Sequence, residues 1–217
     1  MLNPRPEQIA PRLFWPVLVL SLLSALAGQC LMAWQPTAFT EHFFRNPWML
    51  AAVHLTSVGW LATLFLAVTM QALCVLLHRP QAKATAGILG LALFYAGALA
   101  LVAFLAAWRG PYVLGAALAG LGLGYGLSCR RSWALSRGFP ARTRAWSGLV
   151  WAHVYLGGVL LLGALMAVGL FRQPVLSQAP QSTLDLHLHL ALVGFAGLAI
   201  LGLLPKLLRL FLGATKY

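Results

Sequence analysis

Apolar residues come in long runs along this chain rather than in the alternation of a strand or the narrow stripe of a soluble helix. Six runs stand out, at about 12–34, 48–76, 84–108, 111–128, 147–171 and 186–212. Each approaches or exceeds the roughly 20 residues that a helix needs to cross a bilayer. The pattern predicts one all-α domain over 1–217, a polytopic bundle of six transmembrane helices. The fourth run is the shortest and is rich in glycine (Gly115, Gly120, Gly122, Gly124, Gly126). Small residues let membrane helices approach closely, so these positions read as packing.

Composition narrows the picture. The 217 residues are 61% hydrophobic and 8% charged, against roughly 25% charged in a soluble domain. Fifteen Lys and Arg face three acids, Glu7, Glu41 and Asp185, for a net charge of +12. In a soluble chain that excess would suggest nucleic acid; here the basic residues fall between the runs and report topology. Twelve belong to the N-terminus, the loops after runs two and four, and the C-terminal end, and three (Arg45, Arg109, Arg172) to the other side. The positive-inside rule then places both termini in the cytoplasm. Cys30, Cys74 and Cys129 are widely spaced, with no C-x-x-C, so they give no zinc knuckle, redox pair or disulfide framework. Arg5 and Arg12 before the Leu-rich run ending in "ALAGQC" faintly resemble a signal peptide, but the run continues to Trp34, as an uncleaved span would.

Six histidines carry the chemistry. The topology puts His54 and His189 at similar depth in the outer half of the membrane, near the starts of runs two and six. His42 and His187 lie further out, His78 at the cytoplasmic end of run two, and His153 in the inner half. The segments around the first pair match: "HLTSVGW" (54–60) and "HLALVGF" (189–195) share His, Leu, Val and Gly, with an aromatic after each Gly. Upstream, "LFW" (13–15) and "LVW" (149–151) open runs one and five, and Trp15 lies 39 residues before His54 as Trp151 lies 38 before His189. An internal repeat over about 13–73 and 149–208 follows.

A repeat related by an axis normal to the membrane sets equivalent residues at one depth. Two imidazoles facing each other in an apolar core suit a haem iron, six-coordinate and low-spin. Arg45, Arg109 and Arg172 on the outer side are the candidates to hold its propionates, since guanidinium pairs with carboxylate. His187 and His189 are two apart, about 200° around a helix, so they cannot both reach one iron. His187 is either a ligand elsewhere or an interfacial hydrogen-bonding residue. His42, His78 and His153 read as surface, loop and packing residues. The tryptophans at run ends, Trp34, Trp48, Trp108 and Trp146 among them, form an interfacial belt. The absence of C-x-x-C-H argues against c-type attachment and leaves haem b.

The stretch "HLHLALVGFAGLAILGLLPKLLRLF" resembles the His-x-His helix of the catalytic subunit of haem–copper oxidases and nitric oxide reductases. The resemblance gives His187 the role of ligand to an active-site haem and His189 that of ligand to a low-spin haem. It gives His54 of "HLTSVGW" the role of the second low-spin ligand. It implies respiratory electron transfer in a bacterial cytoplasmic membrane. The partners it implies are lipid, an oxidase or nitric oxide reductase subunit, and a cytochrome c or quinol donor, with no nucleic acid. The chain departs from the family in having no adjacent His-His pair, about half the spans, and no acid within a predicted run. No copper site is therefore expected, a second haem on His187 has little behind it, and no catalytic residue is assigned.

The expectation is an integral membrane b-type cytochrome with one haem between His54 and His189. The alternative is a non-catalytic accessory or assembly subunit of such an oxidase or reductase, docking through the Gly-rich fourth run. A small-solute or metal transporter, entered at His42, Asp185 and His187, is weaker because the spans lack polar residues to line a path.

Overall fold

A backbone in hydrocarbon must satisfy its own hydrogen bonds, and a helix does so within one segment. The computed structural model describes residues 11–34, 46–76, 84–107, 110–137, 144–172 and 181–211, and apart from short helix-flanking positions all of them are helical. The helices are α1 (Pro11–Trp34), α2 (Pro47–His54), α3 (Thr63–Leu76), α4 (Ala84–Ala107), α5 (Pro111–Ser136), α6 (Arg144–Arg172), α7 (Gln181–His189) and α8 (Leu198–Phe211). Two π-helical segments, π1 (Leu55–Ala62) and π2 (Leu190–Gly197), join α2 to α3 and α7 to α8. Dihedrals at both junctions stay right-handed, so α2–π1–α3 and α7–π2–α8 are each one continuous rod. Six helices are thus long and apolar enough to cross a membrane.

Two boundaries differ from the sequence expectation by more than about a turn. The fourth helix does not stop at 128 but runs to Ser136, 26 residues in all. Arg130 and Arg131 mark the edge of the apolar run, yet long basic side chains carry their charge outward without ending a helix. The sixth begins at Gln181 rather than 186, so Asp185 lies inside it and inside a candidate span of Ser182–Pro205. The expectation of no acid within a span is corrected at that one residue. Local chemistry fixes the start of α2: the Asn46 side chain accepts from the backbone N–H of Trp48 at 2.9 Å and of Met49 at 3.2 Å, and Pro47 follows at the first helical position.

The chain divides into two compact units, Met1–Arg137 and Gly138–Tyr217. In the first, α4 packs along the length of α5, α1 lies on π1 and α2, α2 on α4, and α3 on α5. Its core holds Met49, Leu66, Met70, Phe94 and Phe104, all fully buried. In the second, α6 packs on π2 and α8 around Leu149, Ala152, Leu156, Phe195 and Ala199. Outward positions are filled by Leu22, Leu26, Leu123, Leu161, Leu165, Leu192 and Leu201, as lipid in place of water requires.

The α4–α5 contact explains Gly97, Gly120 and Gly124. A Cβ on Gly97 would meet the Leu121 backbone N, and one on Gly124 the Phe94 backbone N. A Cβ on Gly120 would come 2.8 Å from Gly97 Cα. On the opposite side of α5, Gly115, Gly122 and Gly126 have open space. Gly97→Ala and Gly124→Ala should therefore separate two backbones and cost about 1–3 kcal/mol or more. Gly115→Ala and Gly122→Ala should be neutral or stabilising by up to about 1 kcal/mol. Unfolding midpoints in detergent check this; equal effects at the two sets would contradict the packing.

Candidate histidine site

Three histidines share one local geometry. Nδ1 of His54 lies 2.7 Å from Leu50 O, Nδ1 of His189 lies 2.7 Å from Asp185 O, and Nδ1 of His153 lies 2.8 Å from Leu149 O. In each case the carbonyl is four residues back along the helix and can only accept. Nδ1 must then carry the proton and donate, which leaves the lone pair of a neutral ring on Nε2. A ring fixed in this way is prepared as a metal ligand, because metal-bound histidines commonly donate their other nitrogen to a carbonyl.

His54 and His189 occupy matching positions in their rods. His54 closes α2 and is followed by eight π-helical residues and a 14-residue helix. His189 closes α7 and is followed by the same two lengths. His189, π2 and α8 each lie 135 positions after His54, π1 and α3 (189 − 54 = 135). Both π-segments contain the shared Val-Gly-aromatic sequence, and both glycines are buried. A Cβ on Gly59 would sit 3.3 Å from Ser24 on α1, and one on Gly194 would fall on the Tyr155 ring of α6. Gly28 of α1 packs against Ala52 and Thr56, and Gly163 of α6, 135 positions on (163 − 28 = 135), packs against His187. His187 stands where the first rod has Ala52. π-Helix is rare and concentrates at functional sites.

The two histidines of the His-x-His pair go different ways. His187 is half-buried with its ring against α6, Cε1 3.1 Å from where a Gly163 Cβ would be. His189 is exposed. They do not share a face, as two-residue spacing on a helix dictates. His54 is half-buried in unit 1, two residues off the Ala52–Thr56 face that meets α1, and His189 belongs to unit 2. Arg45, Arg109, His42 and His78 lie outside the described residues, and Arg172 ends α6 without a described side chain.

Sequence reasoning missed the polar groups of π1. The Thr56 hydroxyl, against Gly28, and the Trp60 indole N–H are buried with no hydrogen-bond partner among the described residues. Thr63 Oγ1 donates to Val58 O, five residues back, at 3.0 Å, a reach that follows the wider π turn. Ser24 and Tyr95 hydroxyls lie 2.9 Å apart and both reach Leu20 O, tying α1 to α4 beside Gly59. The π2 segment has no polar side chain at all. The signal was present in the unlike members of the matched pair "HLTSVGW" and "HLALVGF".

The ring geometry is directly measurable. Nitrogen-15 NMR of the histidine-labelled, cofactor-free protein should show Nδ1 of His54, His153 and His189 carrying a proton. An Nε2–H tautomer at His54 or His189 would contradict the carbonyl contacts.

Compared with known proteins, the chain matches no family model, no curated protein and no solved structure.

Proposed function

We propose that the chain is a membrane b-type cytochrome in which Nε2 of His54 and Nε2 of His189 hold one haem, low-spin and six-coordinate, for single-electron transfer. The observation that carries this reading is the matched setting of the two histidines: each ring donates Nδ1–H to the carbonyl four residues back, and each opens a π-segment of the same length. The common offset of the glycine contacts supports a duplicated hairpin, 13–73 and 149–208. A haem would supply a reversible one-electron couple, and the chain would supply ligands, an apolar slot and exclusion of water. The outer arginines Arg45, Arg109 and Arg172 are the proposed propionate partners. The distribution of basic residues supports cytoplasmic termini and a site in the outer half of the membrane, which the resemblance of the His-x-His helix suggests is a bacterial cytoplasmic membrane. Electrons would come from a quinol or a small cytochrome c and pass to a respiratory oxidase or nitric oxide reductase.

One observation favours a second reading. Gly115, Gly122 and Gly126 leave a smooth strip on α5 that a partner helix could approach closely, as an accessory or assembly subunit of such a complex would need. The two readings part at the spectrum. On the cytochrome reading, His54→Ala and His189→Ala each abolish the low-spin absorption bands of the purified protein, while His187→Ala keeps them. A normal spectrum in either of the first two variants overturns bis-histidine ligation, and loss of the bands in the third moves the ligand to His187.

A further inference from the structure

Several helical hydroxyls among the described residues return to a carbonyl of their own helix. Ser21 donates to Leu18 O at 2.8 Å, Ser57 to Val53 O at 2.7 Å and Ser136 to Trp133 O at 2.7 Å. This is how a hydroxyl is satisfied where there is no solvent. Four hydroxyls of unit 1 do not follow: that of Thr56, against Gly28, and three others. Thr69, Ser128 and Ser132 are 1%, 0% and 6% exposed, and their oxygens are buried with no hydrogen-bond partner among the described residues. The same holds for Oε1 of Gln71.

These groups share one end of unit 1. A Cβ on Gly87 of α4 would lie 3.1 Å from Met70 Sδ on α3 and 3.5 Å from Arg131 Cγ on α5. A Cβ on Gly90, one turn along, would lie 2.9 Å from Ser128 Oγ. Met70, Arg131 and Ser128 are therefore level with consecutive turns of α4. Thr69 precedes Met70 and Ser132 follows Arg131, and α3 packs directly on α5. Three buried hydroxyls from two packed helices thus lie at nearly the same level, with Ser128 directly against Gly90 of a third. Buried polar groups in folded proteins are satisfied by protein or by ordered water. An internal water needs about two to four polar partners, which is what this cluster offers. Among the described residues of unit 1 there is no acid to give a cation a counter-charge.

We infer that unit 1 binds ordered water between α3, α4 and α5, at the end carrying Arg130 and Arg131, with Thr69, Ser128 and Ser132 as its hydrogen-bonding partners. The water ties α3 to the tightly packed α4–α5 pair through bonds that the side chains do not make to one another.

Removing a hydroxyl that has no partner stabilises a protein, whereas removing one that holds a bridging water destabilises it. Thr69→Val and Ser128→Ala in the full chain in detergent should each lower the unfolding midpoint by about 2–4 °C. The double variant should fall by less than the sum, because both lose the same water. A rise in either single variant, or strict additivity, overturns the site. A second measurement does not depend on those variants folding. X-ray radiolysis makes hydroxyl radicals from water in place, and Met70, 1% exposed, is the oxidisable side chain beside the cluster. Met70 should be oxidised on irradiation of the wild-type protein and spared by peroxide added from outside. Met70 left intact under irradiation overturns the inference.

Discussion

The absence of water from the bilayer core governs this protein. A backbone N–H or C=O without a partner there is costly, so the chain can cross only as helix. Within that restriction there is still room for variation, because a helix can change its hydrogen-bond register without exposing the backbone. π1 and π2 do this over eight residues each, inside rods that remain continuous. A π turn holds more residues than an α turn, so everything beyond it is rotated relative to the histidine before it. The register change follows a histidine in both rods, and a buried glycine lies within each, where a neighbouring helix comes against the backbone.

Much of the fold was legible because it follows from the run length of apolar residues. Six apolar runs correspond to six helices among the described residues, and of the five glycines read as packing in the fourth run Gly120 and Gly124 meet α4, whereas Gly115, Gly122 and Gly126 face open space. Boundaries were less so. Arg130 and Arg131 looked like an end, and Asp185 like a loop, because charge usually marks the edge of a span. In the structure the helix continues through both, since a side chain at a span's edge can carry its charge outward while the backbone stays helical. The π-segments were not legible at all. Eight mostly apolar residues carry no polar pattern from which a period near 4.4 could be told from 3.6.

The histidines divide in the same way. That His187 and His189 face different sides follows from helix geometry and was readable from spacing alone. That Nδ1 of His54 and His189 is committed to a carbonyl, with the lone pair left on Nε2, depends on a rotamer that spacing does not fix. The match of "HLTSVGW" to "HLALVGF" was visible; its unlike residues, Thr56 and Trp60 against Ala191 and Phe195, were passed over. They are where the first segment places buried polar groups and the second places none.

The proposed cytochrome carries one haem per chain. This is tested most directly by a pyridine haemochrome determination on the detergent-purified wild-type protein, from cells supplied with haem, against its protein concentration. The account predicts one b-type haem per chain, low-spin in both the oxidised and the dithionite-reduced forms. A colourless protein would contradict it and turn attention to the complex that this chain helps to build.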